Sequence, residues 1–215
     1  MHPQIRYFLT VLLIVFPLQV SAADIPLNDA YFEHIQFKRI KPSQYSYSDD
    51  VLKAEVDAGA SILMHSFDTV QQVSQINFLW RSTGMPKIAD DEQEARKDGD
   101  DAVLKIGLLL RADEKSFNPF LPAWMKRVDA LLKFPSENMI YLIVDARHVV
   151  GAEWDNPYNK RVKMVSVGSV GNGDGWQRAS HSFAQPVSVV AMWVMADGDN
   201  TQSQFTSYLK DIQLQ

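Results

Sequence analysis

The sequence predicts an all-β fold, a two-sheet antiparallel sandwich with one peripheral α-helix. Three observations carry that expectation. Apolar residues fall on every second position in several short segments, most clearly Ile76, Phe78 and Trp80, the pattern of a half-buried strand. Turn-forming residues interrupt the chain at short intervals, as in Ser48-Asp49-Asp50. Helical spacing occurs in one segment, where Leu121, Trp124, Met125, Val128 and Leu132 recur every three or four residues.

In chain order, the first 23 residues read as a secretory signal. A basic start (His2, Arg6) precedes the apolar run Phe8–Leu18, which closes on the small residues Val20-Ser21-Ala22-Ala23. A run this short with a cleavage site behind it suits export better than a membrane span. The expectation is therefore a periplasmic or secreted protein whose residues 24–215 form a single β-sandwich domain. Tyr45-Ser46-Tyr47, the turn at 48–50 and Val51–Val56 read as a hairpin. Ile35 with Phe37, and the runs Ala102–Leu110, Met139–Val144, Val162–Val167, Val187–Val194 and Phe205–Leu214, supply further strands. The helix is expected over 122–133, with Pro122 suited to a first turn and Pro135 ending it. Residues 84–101 are polar and acidic, a long connection of the kind that is either functional or poorly ordered.

Composition narrows the function classes. The chain carries 21 Lys+Arg against 26 Asp+Glu, a net charge of −5, and shows no basic run, so nucleic acid is not an expected partner. With 0 cysteines there is no thiolate zinc site, no cysteine nucleophile and no disulfide to support the core. No second apolar span follows the leader, and a monomer is the default.

Motifs for chemistry are sparse. Ser61 and Ser169 lie near glycines but outside Gly-x-Ser-x-Gly. Gly168–Gly175 precedes a strand-like run rather than a helix, so it reads as a hairpin loop and not a phosphate loop. His34, His65, His148 and His181 are too dispersed for a local metal site. Asp197 and Asp199, with Asn200 beside them, are hard oxygen donors suited to a structural Ca²⁺, although Asp, Gly and Asn also serve a tight turn for backbone reasons alone. Asp100-Asp101 is expected to be solvated by default, with one of the two able to cap or to pair with Arg81 or Arg161. A carbohydrate-active hydrolase or lyase could draw on Asp101, Asp145 or Asp199, provided two carboxylates converge. Among the aromatics, Trp80 and Trp193 belong to alternating strands and should be core. Trp154 lies between Glu153 and Asp155, just before Asn156-Pro157-Tyr158, and reads as an exposed loop contact. Trp154, Tyr158 and Arg161 are the expected ligand contacts of a non-catalytic module for glycan or another cell-envelope polymer. An envelope assembly protein is a third reading.

The order of short motifs resembles a known family. Trp80-Arg81 is followed by Gly99-Asp100-Asp101-Ala102, Tyr141, Asn156-Pro157-Tyr158 and the strand from Arg161. Gly175-Trp176, Asp197-Gly198-Asp199-Asn200-Thr201 and a last strand from Phe205 through Lys210-Asp211-Ile212 complete it. This order is similar to the bacterial secreted family catalogued as domain of unknown function 3047 over nearly the whole mature chain. The resemblance implies one β-rich, jelly-roll-like exported domain and no assigned activity. Phe78 and Ile143 stand where the family pattern implies tryptophan.

Overall fold

A computed structural model describes residues 23–114, 120–169 and 175–215. The leader and the central part of the Gly168–Gly175 loop lie outside the described residues. Eleven strands and two helices are described: β1 (Ala23–Ile25), β2 (Glu33–Gln36), β3 (Gln44–Ser48), β4 (Val51–Asp57), β5 (Ala60–Thr83), α1 (Asp91–Glu94), β6 (Ala102–Arg111), α2 (Ala123–Leu131), β7 (Ser136–Ala146), β8 (Glu153–Asp155), β9 (Val162–Ser169), β10 (Gln177–Asp197) and β11 (Gln204–Leu214).

The strands hydrogen-bond in the order β3-β4-β11-β5-β10-β6-β7-β9-β8, with β1 on β11 and β2 on β5. Two long strands make this one sheet into a sandwich. The C-terminal half of β5 (76–83) pairs with β11, and its N-terminal half (61–64) pairs with β2. β10 follows β5 along its whole length, with register shifts between Ser182 and Val187 and between Val189 and Ala191. Bulges of this kind bend strands. β6 joins β10 only beyond the bend, from Val189 to Asp197. One layer is thus β3, β4, β11 and the near halves of β5 and β10. The other is β2, the far halves, β6, β7, β9 and β8. Pairing is antiparallel except between β7 and β9.

The main core lies between the layers. Leu52, Phe78, Trp80, Phe205 and Leu209 from one meet Leu104, Ile106, Leu142, Val144, Met192 and Val194 from the other, all buried. Ser207 Oγ donates to the Val103 carbonyl across the gap at 2.7 Å. A second apolar cluster covers the outer face of the β6 layer, with Ile62, Met64, Tyr141, Ile143, Met164 and Trp193 under Val128 of α2. Trp193 lies on Gly107, where an added Cβ would come 2.0 Å from its Nε1.

The expected hairpin is β3–β4, and Asp49 and Asp50 take φ of 50° and 59°, the paired left-handed conformation that closes a two-residue turn with the twist of its strands. α2 falls within the expected helix. Trp80 and Trp193 are core as expected. Phe78 and Ile143 are each 1 % exposed, so the positions where tryptophan was implied are interior and do not bear on a ligand surface.

Candidate functional site

The connection 84–101, the loop 156–161 and the turn 197–203 converge at the start of β6. Lys105 is the hub. It points from β6 onto the outer face of its layer with its side chain 3 % exposed. Its ammonium donates to Asp197 Oδ2 at 2.8 Å, the Asp100 carbonyl at 2.8 Å and Asp100 Oδ1 at 3.0 Å. Burial pushes this ammonium toward neutrality, and the Asp100 and Asp197 carboxylates outweigh it, holding the group well above the usual lysine range. Asp197 is pushed well above the usual carboxylate range, by burial first; Lys105 opposes that push, while Asp101, Asp199 and Asp100 add to it. One cation serves several carboxylates.

Asp101 clamps the turn after β10. It accepts from the Asn200 amide at 3.1 Å, the Thr201 amide at 2.7 Å and Thr201 Oγ1 at 2.6 Å. Asn156 Nδ2 donates to Asp100 Oδ2 at 3.2 Å, while its Oδ1 accepts from the Tyr158 and Asn159 amides. The Tyr158 hydroxyl donates to the Lys97 carbonyl at 3.2 Å and accepts from Asn200 Nδ2 at 3.0 Å. Oxygens of Asp101, Asp197 and Asp199 lie within 4.8 Å of one another.

The expectation that Asp100-Asp101 is solvated or bound to Arg81 or Arg161 is corrected: both are buried, on Lys105 and on the Asn200-Thr201 turn. The acidic connection is likewise built in. Buried Glu94 accepts from the Arg147 and His148 amides and meets His148 Nδ1 at 2.6 Å. Trp154 stands in β8 rather than in a loop, half-buried, with its ring stacked on His148 at 4.0 Å. Tyr158 is exposed, and Arg161 pairs with Glu137 at 3.2 Å. No hydrogen bond, ion pair or ring contact among the described residues joins Trp154 to Tyr158 or Arg161.

A second assembly lies on the outer face of the other layer. Arg81 and Tyr208 are cross-strand partners of β5 and β11, which puts them on one face. The guanidinium carbon of Arg81 is 4.2 Å from the Tyr208 ring centroid and 5.1 Å from that of Trp176. Lys210 Nζ is 4.8 Å from the Trp176 ring. Arg81 Nε is buried without a hydrogen-bond partner, and among the described residues Arg81 has no carboxylate partner. The sequence motifs contain Arg81, Trp176 and Lys210 separately, but nothing in the sequence joins them, because Arg81, Trp176 and Tyr208 meet only once the register of β5 against β10 and β11 is known.

The short motifs of the sequence therefore sort into two groups in space. Trp80-Arg81, Gly175-Trp176 and Lys210 supply the outer platform; Gly99–Ala102, Asn156–Tyr158 and Asp197–Thr201 supply the acidic junction. A family match spans residues 30–213. The chain belongs to the family described as protein of unknown function (DUF3047). No curated protein matches this family member. Among solved structures it is similar to a point mutant of a carbohydrate binding module family 29, at 9% identity and a TM-score of 0.38, covering 90% of each chain. No described helix is long and apolar enough to cross a membrane.

Proposed function

We propose that this protein is an exported, non-catalytic binding module for glycan, and that the platform of Trp176, Tyr208, Arg81 and Lys210 is its contact surface. One observation carries the reading: the Arg81 guanidinium lies close to two aromatic rings, its Nε is buried without a hydrogen-bond partner, and no carboxylate among the described residues pairs with it. Aromatic side chains offer flat apolar area with little entropy to lose. A guanidinium adds forked donors that match a carboxylate. That combination suits a polymer with sugar rings and acidic groups, so uronate-bearing glycans of the cell envelope are the favoured class. Tyr158 offers a separate exposed ring, and Trp154, Tyr158 and Arg161 make up the second contact set to be tested.

A glycan array containing neutral and uronate polymers, read with the mature protein, tests the proposal. Retention of acidic glycans that is lost in Trp176→Ala and Arg81→Gln supports it. Binding lost in Trp154→Ala and kept in Trp176→Ala moves the site to β8. Absence of retention on the array and on peptidoglycan sinks the reading.

A further inference from the structure

The acidic junction holds four carboxyl groups and one ammonium, and the partners of one carboxyl group leave it incompletely satisfied. Asp100, Asp101, Asp197 and Asp199 gather around a single ammonium, whose three donors are already committed to Asp100 and Asp197. Backbone and hydroxyl donors of Asn200 and Thr201 satisfy Asp101. Asp197 is different. Its side chain is 4 % exposed, Oδ2 faces Lys105, and Oδ1 is buried with no hydrogen-bond partner. A buried carboxyl oxygen left without a partner is costly whether or not the group is ionised, so it points to an occupant. Asp199, half-exposed, opens the same place to solvent and has no cationic partner among the described residues.

We propose that Asp101, Asp197 and Asp199 ligate a hard divalent cation of the calcium class. Their oxygens lie within 4.8 Å of one another, which puts a point between them within a few tenths of an ångström of the 2.3–2.6 Å typical of calcium. The donors are oxygens only, which selects calcium, magnesium or manganese over zinc or copper. Water entering beside Asp199 completes the six to eight ligands that calcium takes. The third donor differs from the expected Asn200: Asp101, just before β6, joins the two aspartates, while Asn200 directs its carboxamide nitrogen to Tyr158. The ion would tie β6 to the β10–β11 turn, independently of any glycan.

Calorimetric titration of the EDTA-stripped mature protein with CaCl₂ tests this, alongside thermal melts and without glycan present. The expected result is one calcium per chain. The midpoint should rise by about 5–10 °C when calcium is a hundred times Kd. Asp199→Asn, which leaves the Lys105 contacts in place, should fold with an unchanged circular dichroism spectrum and lose both signals. No heat and no shift up to about 10 mM CaCl₂, ten times the weakest constants of extracellular calcium modules, would overturn the proposal. So would an equal shift in Asp199→Asn, or one reproduced by KCl at matched ionic strength.

Discussion

Of the three lysines that stand near aromatic rings among the described residues, Lys105 and Lys210 do different things. Lys105 Nζ is 5.8 Å from the Tyr141 ring and Lys210 Nζ is 4.8 Å from the Trp176 ring. The first is enclosed by three connections and has every donor used inside the chain. The second lies on an open strand face, where its nearest carboxylate, Asp211, is 3.7 Å away. The acidic junction is charge turned inward, and its residues hold loops to a strand. The platform is charge left outward, and among the described residues its arginine has no acid paired with it. Residue type does not separate structural charge from binding charge; the fate of the donors does.

Substitutions at the two places should therefore separate stability from binding. The largest effect is expected for Lys105→Met. It leaves Asp100 and Asp197 buried without a cation and should destabilise the fold by about 3–5 kcal/mol in urea unfolding. A loss below about 1 kcal/mol would mean that the junction is wetter than its burial indicates. Next comes Asp101→Ala, which strips three hydrogen bonds from the Asn200-Thr201 turn and should cost about 2–3 kcal/mol. Tyr158→Phe removes the hydroxyl that links Lys97 to Asn200; a loss of about 0.5–1.5 kcal/mol in the same assay is expected. On the platform the pattern reverses. Trp176→Ala should move unfolding by no more than about 0.5 kcal/mol, yet weaken glycan retention by about 1–2 kcal/mol, roughly five- to thirtyfold. If unfolding moves as far as it does for Tyr158→Phe, the contrast between the two regions fails.

Histidines give a pH test outside both regions. Burial holds His34, His65 and His181 below the usual imidazole range, so the folded chain resists the proton that the unfolded chain accepts. Stability from this source is present above the unfolded pKa of about 6.5 and is lost as pH falls below it. Thermal midpoints measured from pH 8 to pH 5 should fall on the acid side. His65→Gln should flatten part of that fall, since His65 is held by Tyr31 through a 2.8 Å contact and a stacked ring.

Much of the scaffold was legible because period and turn chemistry are local. The β3–β4 hairpin could be read from its alternation and from Asp49-Asp50, and α2 from Val128 and its helical neighbours. The lengths of β5 and β10 were not legible. Thr69 to Gln75 and Gln177 to Gln185 are largely polar, and long-range pairing of β5 with β10, with backbone bonds from Ser74 and Gln75 to Gln215, holds this stretch extended. β8 was read as a loop because three residues carry no period. Lys105 did leave a signal. A lysine inside the apolar run Ala102–Leu110, just after Asp100-Asp101, calls for a buried counter-charge, and that alone would have directed attention to the junction. Asp197 pairs with Ala102 across β10 and β6, which brings it beside Asp101, and no local pattern encodes that register.

The position of β11 has a consequence for how the chain comes into being. It is the last strand in sequence, yet it fills the middle of its layer, hydrogen-bonded to β4 on one side and β5 on the other. Until residues 204–214 have left the ribosome, both neighbours present open edges and the core residues Phe78 and Trp80 lack the cover of Leu209. A partly synthesised chain is thus kept from closing its sandwich. Until β11 has emerged, the layer that it joins cannot complete its pairing or its cover of the core.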